Sequence, residues 1–415
     1  MPKIFYGWWI VLATSLIHMW GAGTFYYSFT AFFNPIVDEL GWSYAATSFA
    51  ASLRSIEGGI ASPLVGFATD RYGARRLLVW GSVLGGIGFI LLGQIQTLWS
   101  FYLIFIFLSV GSSLLFPVPG WTAVANWFVK KRGIALGALS ATMGIAGLVI
   151  YLVNWLIGLY GWRQTLVILG IGMWVIGIPA GWVVRTRPEP YGLLPDGDDG
   201  VPMKRGGPAV NPTEEGQDEQ EFTVRAALRT RTFWIMALIV TISSAALHAV
   251  VVHVMPYLIS IHFTREAAGL TASLLILVSA IGRFILGWLT TRVDTRYLMA
   301  LALLLQALGL LALTHVQGLG LAALFVGLFG PGYGGVITLR LTMQAEYFGR
   351  KAFGAIQGIM MAILILGTMA SPLLAGYCFD VYGTYRPAWL IMTLLLLLIT
   401  PLSILARPPG KQAAA

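Results

Sequence analysis

The chain has 415 residues, 57% of them hydrophobic and only 10% charged, against roughly 25% charged for an ordinary soluble domain. That balance excludes a water-soluble enzyme domain and a disordered chain, and it points to an integral membrane protein. The net charge of +9 lies in the short segments between apolar runs, so it reports membrane topology and not nucleic-acid binding.

Twelve apolar runs can be read from end to end. Each is close to the ~20 residues that a helix needs to cross a hydrocarbon core of about 30 Å. The first, Gly7–Phe33, follows Met-Pro-Lys like a secretion signal but continues without a small-residue cleavage site, so it reads as a retained helix. Span two, Tyr44–Thr69, carries Arg54 and Glu57 at i,i+3, a spacing that predicts an ion pair on one face. Spans three to six are Leu77–Gln96, Trp99–Val124, Gly133–Gly158 and Gln164–Val184. A proline-rich, partly acidic stretch follows at 186–230 and reads as a flexible linker. Spans seven to twelve are Phe233–Ile261, Ala267–Leu289, Tyr297–His315, Leu319–Leu339, Phe353–Phe379 and Pro387–Leu405. The runs are continuous, not alternating, which excludes a membrane barrel and predicts an all-α protein.

If the N-terminus is cytoplasmic, twenty Lys and Arg fall in inside segments and only Arg163, Arg265 and Arg386 in outside loops. Loops rich in Lys and Arg stay inside, so both termini are expected in the cytoplasm of a multi-pass protein of the cell inner membrane. Cys378 is the only cysteine, so no intrachain disulfide is possible. There is no HExxH, no paired-cysteine spacing and no Walker loop. No metal, no cofactor and no ATP-driven step is expected, nor does any nucleophile or acid/base constellation suggest an enzyme.

The linker divides the membrane part into an N-terminal bundle, 1–185, and a C-terminal bundle, 231–415. Asn126-Trp127-Phe128-Val129-Lys130-Lys131 returns as Glu346-Tyr347-Phe348-Gly349-Arg350-Lys351 at an offset of 220. Gly66-Phe67-Ala68-Thr69-Asp70-Arg71-Tyr72-Gly73-Ala74-Arg75-Arg76 returns in weaker form at Gly287–Arg296, offset 221, with Thr291 where the first copy has Asp70. Two matches at one offset indicate two related six-helix halves. Repeats of this kind place a transporter's substrate site near the midplane between them.

The Gly66–Arg76 segment resembles the signature loop of the major facilitator superfamily, and the resemblance implies two pseudo-symmetric six-helix bundles working by alternating access. In that family the acid corresponding to Asp70 clasps neighbouring helix ends, with Arg71, Gly73 and Arg75 completing the gating loop. The alternative is a topology determinant alone. Trp127-Phe128-Val129-Lys130-Lys131-Arg132-Gly133 and the residues to Gly144 resemble the monocarboxylate-transporter pattern leading into helix five, with the oxalate/formate-exchanger branch a close cousin. Tyr6-Gly7-Trp8-Trp9 is similar to that family's helix-one signature without its acid.

Arg283 is the one charge in Ala267–Leu289. Measured insertion costs put an arginine at a helix centre about 2.5–3.5 kcal/mol uphill, which makes it a functional-site hypothesis by default. A guanidinium offers a carboxylate a planar fork and stays charged when desolvated, and the resemblance implies the same role for the arginine of helix eight. A structural ion pair is the other reading. Helix eleven has no lysine between Phe353 and Phe379, so one fixed cation favours a small monocarboxylate such as lactate or pyruvate. The family's helix-eight acid and helix-one lysine align with Ser279 and Tyr27, so its usual proton-relay groups are missing. Glu57, His18, His248 and His253 are the candidates for proton coupling.

The superfamily cavity is lined mainly by helices one, four, seven and ten, which nominates Tyr26, Tyr27, Phe116, His248 and Tyr333. Asn154 in helix five is a further polar candidate. For each, interhelical packing or hydrogen bonding is the competing explanation. Arg340, near the end of helix ten, reads as a snorkelling residue or a partner of Glu346. Gly21/Gly23, Pro117/Pro119/Gly120 and Gly330–Gly335 mark bends in helices one, four and ten. The expected partners are a small monocarboxylate anion, a proton and the lipid bilayer, with a single copy sufficient for function. An organic-anion antiporter and a transport-inactive sensor are the alternatives.

Overall fold

The computed structural model describes residues 5–42, 44–197 and 221–409, and no strand occurs among them. The apolar runs fold into twelve spans, since a backbone in hydrocarbon must satisfy its own hydrogen bonds and a helix does so within one segment. Helix α1 passes from Tyr6–Gly21 through a π-helical turn, Ala22–Tyr27, into Phe29–Leu40. Then come α2, Tyr44–Tyr72, α3, Ala74–Leu92, and α4, which breaks between Leu98–Leu115 and Val118–Trp127. Helix α5 begins as Arg132–Ile145 and continues through a 3-10 turn at Ala146–Leu148; the chain reverses at Gly161 (φ 74°) into α6, which ends at Val183. After a short helix, Val224–Arg229, come α7, Arg231–Ser260, α8, Arg265–Leu289, and α9, Thr295–Thr314. The last three are α10, Leu319–Phe348, α11, Phe353–Tyr382, and α12, Arg386–Leu405.

Nine stretches of the described residues are long and apolar enough to cross a membrane, and the 52-residue one is α5 and α6 joined across Gly161. Only α1 and α2 fall short on that measure. The π turn cuts α1 into pieces of 16, 6 and 12 residues, and α2 carries Arg54, Glu57 and a series of small and polar side chains. Large apolar side chains face outward around both halves, with Trp99 77% and Leu373 75% exposed. Such a belt is stable only against lipid.

The two halves meet along two crossings at one end, the end bearing the Gly66–Arg76 and Gly287–Arg296 loops, called here the basic end. At the first crossing Gly66 of α2 lies against the Gly354 carbonyl of α11, and Gly358 against that of Ser62. At the second, Gly133 of α5 lies against Gly287 and Thr290 of α8, while Gly137 sits beneath the Arg283 carbonyl. Small residues let helix backbones approach this closely. Two expectations change. Helix α10 is unbroken through Pro331, and its glycines are packing positions, with Gly334 against the Ser279 carbonyl and Gly332 against that of Ala302. Most of the linker, residues 198–220, lies outside the described residues. Its described ends are docked: Phe222 is fully buried edge-on to Phe348, and its backbone N–H donates to the Phe348 carbonyl at 3.1 Å.

Candidate functional site

Arg283 reaches from α8 into the contact between the halves and is 3% exposed. One Nη donates to the backbone carbonyl of Ser140 on α5 at 2.5 Å and the other to the Tyr333 hydroxyl on α10 at 2.7 Å, with Nε left without a partner. The Tyr333 ring lies 5.4 Å from the guanidinium carbon. Both acceptors are neutral, and among the described residues no carboxylate pairs with Arg283. A cation so deep in hydrocarbon is left with its charge uncompensated, which favours an anion arriving from outside the protein.

Tyr27, delivered by the π turn of α1, is in electrostatic reach of both Arg283 and Tyr333. Arg283, Tyr333 and Tyr27 therefore converge from α8, α10 and α1. A second group forms beside them in the N-terminal half. The Tyr26 ring meets Phe116 edge-on at 5.5 Å, and Phe116 stands 6.3 Å from the His18 ring. His18 is fully buried against Gly120, and neither ring nitrogen has a partner.

The predicted Arg54–Glu57 pair is not formed. Arg54 instead donates to the Phe25 carbonyl at 3.3 Å and covers the Tyr26 ring at 4.5 Å. Glu57 accepts from the Ser113 hydroxyl at 3.1 Å and lines an apolar groove of about 540 Å³ between α2 and α4. An aromatic face satisfies a guanidinium without the second desolvated charge that an ion pair needs. His253 meets the Pro372 carbonyl at 3.0 Å, and His248, which is exposed, meets the Ser244 carbonyl of its own helix at 2.9 Å. Among the described residues no hydrogen bond or ring contact joins His248 to the Arg283 group. Asn154 is exposed and bonds to no other helix among the described residues, so it neither joins the site nor bridges helices.

Asp70 ends α2 and reaches the opposite half. Its carboxylate accepts from the backbone N–H groups of Gly354 at 3.0 Å and Ala355 at 2.7 Å. These amides lie in the first turn of α11, where a helix has no internal acceptors for them and favours negative charge. Arg350 adds a bond to the Asn126 carbonyl at 2.9 Å and an ion pair with Glu189 at 3.1 Å. Arg75 donates to the Val184 carbonyl at 2.9 Å and so stays within its own half, Arg71 lies beside Tyr72, and Gly73 adopts φ 87° to make the turn. The end bearing these contacts is closed.

The Major Facilitator Superfamily family model matches residues 13–264 and 233–415. The chain belongs to the Major Facilitator Superfamily. It is accordingly a multi-pass membrane transporter and not an enzyme. It is 24% identical over 369 residues to Monocarboxylate transporter 12 of Mus musculus, covering 84% of this chain and 74% of that one. With the oxalate:formate antiporter of Oxalobacter formigenes it shares 26% over 178 residues, 43% of this chain and 42% of the relative. The fold superposes on the E. coli fucose:proton symporter FucP with a TM-score of 0.69 at 15% identity, over 96% of this chain and 98% of that one.

Sequence reasoning missed one part of this superfamily member. Arg340 does not snorkel or pair with Glu346, which accepts from Thr295 at 3.1 Å. It is 7% exposed, with its guanidinium carbon 5.1 Å from the Trp121 ring of α4 and an Nη 3.5 Å from the Met361 sulfur of α11. Arg283 is therefore not the only buried cation between the halves. The signal available in the sequence was the seven-residue step from Tyr333, two helical turns that return to the same face of α10.

Proposed function

We propose that this transporter carries small monocarboxylates of the lactate or pyruvate kind, coupled to proton movement, by alternating access. The observation that carries the reading is the Arg283 guanidinium: buried, charged, and held by a carbonyl and a hydroxyl that fix its direction without neutralising it. A carboxylate that met this fork would gain charge-assisted hydrogen bonds at low dielectric. The Tyr333 and Tyr27 hydroxyls stand ready to bond the same carboxylate or a neighbouring hydroxy or keto oxygen. The likeness to Monocarboxylate transporter 12 and to the oxalate:formate antiporter supports a carboxylate substrate.

Proton coupling follows from energetics. Moving a monoanion inward against the membrane potential is uphill by about 2.3 kcal/mol per 100 mV, and a co-transported proton removes that penalty. His18, whose ring nitrogens have no hydrogen-bond partner among the described residues, and the exposed His248 are the candidates to carry it, with Glu57 on the α2–α4 groove and His253 as further candidates. In this reading both termini are cytoplasmic, the basic end faces inward, the described state opens outward, and one copy suffices.

The test is uptake of a labelled panel of carboxylic acids into vesicles, with and without an inward pH gradient at zero membrane potential. Arg283→Gln should lose uptake by roughly 10²-fold, the effect of removing a charge-assisted anchor worth about 3 kcal/mol. Uptake that survives in this variant removes the assigned role of Arg283. Uptake indifferent to the gradient removes symport, and a strict need for internal carboxylate establishes exchange.

A further inference from the structure

We infer that Arg340, capped by Trp121 while the basic end is closed, forms a second carboxylate subsite, the one the anion occupies last before release at that end. The inference rests on the carboxylate reading of Arg283 and extends it along the transport path.

The residues come from three helices and both halves. Arg340 lies on α10, Gln357 and Met361 one turn apart on α11, and Trp121 on α4. Arg340 is more than nine-tenths buried, yet among the described residues its guanidinium meets an indole face and a thioether and no oxygen acceptor, and its Nε has no partner. Gln357 is 1% exposed, with neither its amide nitrogen nor its amide oxygen bonded, and the Trp121 indole N–H is likewise unpartnered. Each unmatched buried polar group of this kind is destabilising by about 1–3 kcal/mol, and a charged one by more. Among the described residues no carboxylate faces Arg340. A buried guanidinium left on an indole face and a thioether costs stability in the closed state and is suited to an anion in another.

Position gives the subsite its place in the cycle. Tyr333, which holds Arg283, and Arg340 share one face of α10, and seven residues at 1.5 Å each separate them by about 10 Å along the axis. Arg283 is held at the level of Tyr333 and Arg340 stands two turns further along α10, so the two cations serve successive positions. Arg340 is the one nearer the basic end, and both the Trp121 contact and the Asp70 clasp join opposite halves. When that seam opens, Trp121 withdraws from Arg340 and the guanidinium is free to take the carboxylate from Arg283.

Right-side-out and inside-out vesicles test this by presenting the acid to each face in turn. Arg340→Gln should raise KM at the basic-end face about tenfold while leaving KM at the opposite face within about twofold, and Arg340→Lys should recover most of that loss. A purely structural role for Arg340 would shift both faces alike, or lower the rate without a sided change in KM, and either result overturns the inference. If the glutamine variant fails to fold, the lysine variant, which keeps the charge but not the fork, should still show a sided rise of a few fold; no sided rise overturns it. Arg283→Gln, measured alongside, should lose transport from both faces. If that variant transports normally, the carboxylate reading fails on its own account, whatever the Arg340 variants show.

Discussion

The Gly66–Arg76 loop and its Gly287–Arg296 copy occupy equivalent places in the two halves, and they behave differently. The carboxylate of Asp70 crosses to the first turn of α11 in the other half. Thr291, in the equivalent position, turns its hydroxyl back to the Trp288 carbonyl of its own helix at 2.8 Å. The acid that the second copy does possess, Asp294, pairs with Arg296 two residues on at 2.6 Å, and that pairing holds its carboxyl below the usual carboxylate range. What the halves share is glycine packing at both crossings. The superfamily's duplicated architecture thus keeps a symmetric steric seam and an asymmetric carboxylate clasp: one crossing is latched at its loop, and the other is joined deeper, by the Arg283 bond to the Ser140 carbonyl.

The largest effect should come from the shared part. A Cβ on Gly66 would run into the Gly354 carbonyl, and one on Gly133 into Thr290 and the Gly287 carbonyl. Leucine at either position should stop the basic end from closing, since overpacking against backbone typically costs 1–3 kcal/mol or more. Gly66→Leu and Gly133→Leu should each cut transport by at least about tenfold, and spin labels across the basic end should report increased separation in both. A severe defect in one with a mild defect in the other would show the steric seam to be as unequal as the clasp.

The clasp itself should separate the copies. Asp70→Ala leaves two amides of the first turn of α11 without an acceptor. Hydrogen bonds to a charged group are worth about 1.5–3 kcal/mol, so the closed population should fall by roughly 10- to 100-fold. Thr291→Ala removes a bond internal to one helix and should change the same distance measurement by less than about twofold. Equal responses would refute the one-sided latch.

How much of this was legible in the sequence depends on whether a feature is carried by one segment or by several. The spans, their order and the two halves could be read because hydrophobic length and an offset of 220–221 residues are properties of the string. Arg283 was legible because a charge in an otherwise apolar run is conspicuous wherever the run packs. Arg54 misled: i,i+3 spacing predicts a partner on its own helix, and the π turn of α1 supplied Tyr26 and the Phe25 carbonyl instead. Arg340 was hidden for the same reason, since its neighbours Trp121 and Met361 are distant in sequence and its place near a helix end suggested snorkelling. Asn154 shows the converse, a polar residue in an apolar run that folding leaves outside the site.

The smallest effects concern the linker ends, which repeat the capping motif in a weaker form. The Asp196 carboxylate accepts from the backbone N–H groups of Val129 at 2.8 Å, Lys130 at 2.7 Å and Lys131 at 3.1 Å, just before α5. Glu221 accepts from Lys351 N–H at 2.7 Å, 220 residues further along the chain. Each end of the linker therefore fastens the corresponding loop of one half. Asp196 sits at φ 62°, a conformation asparagine tolerates, so Asp196→Asn removes the charge without forcing the backbone. With three amides involved, it should lower the tryptophan-detected unfolding midpoint in detergent by about 2–4 °C, the shift expected for ~1 kcal/mol. Glu221→Gln, which weakens a single exposed bond, should lower it by less than about 1 °C. An equal fall in the two variants would mean that the linker restrains both halves alike, and that the asymmetry of the latch is confined to Asp70 and Thr291.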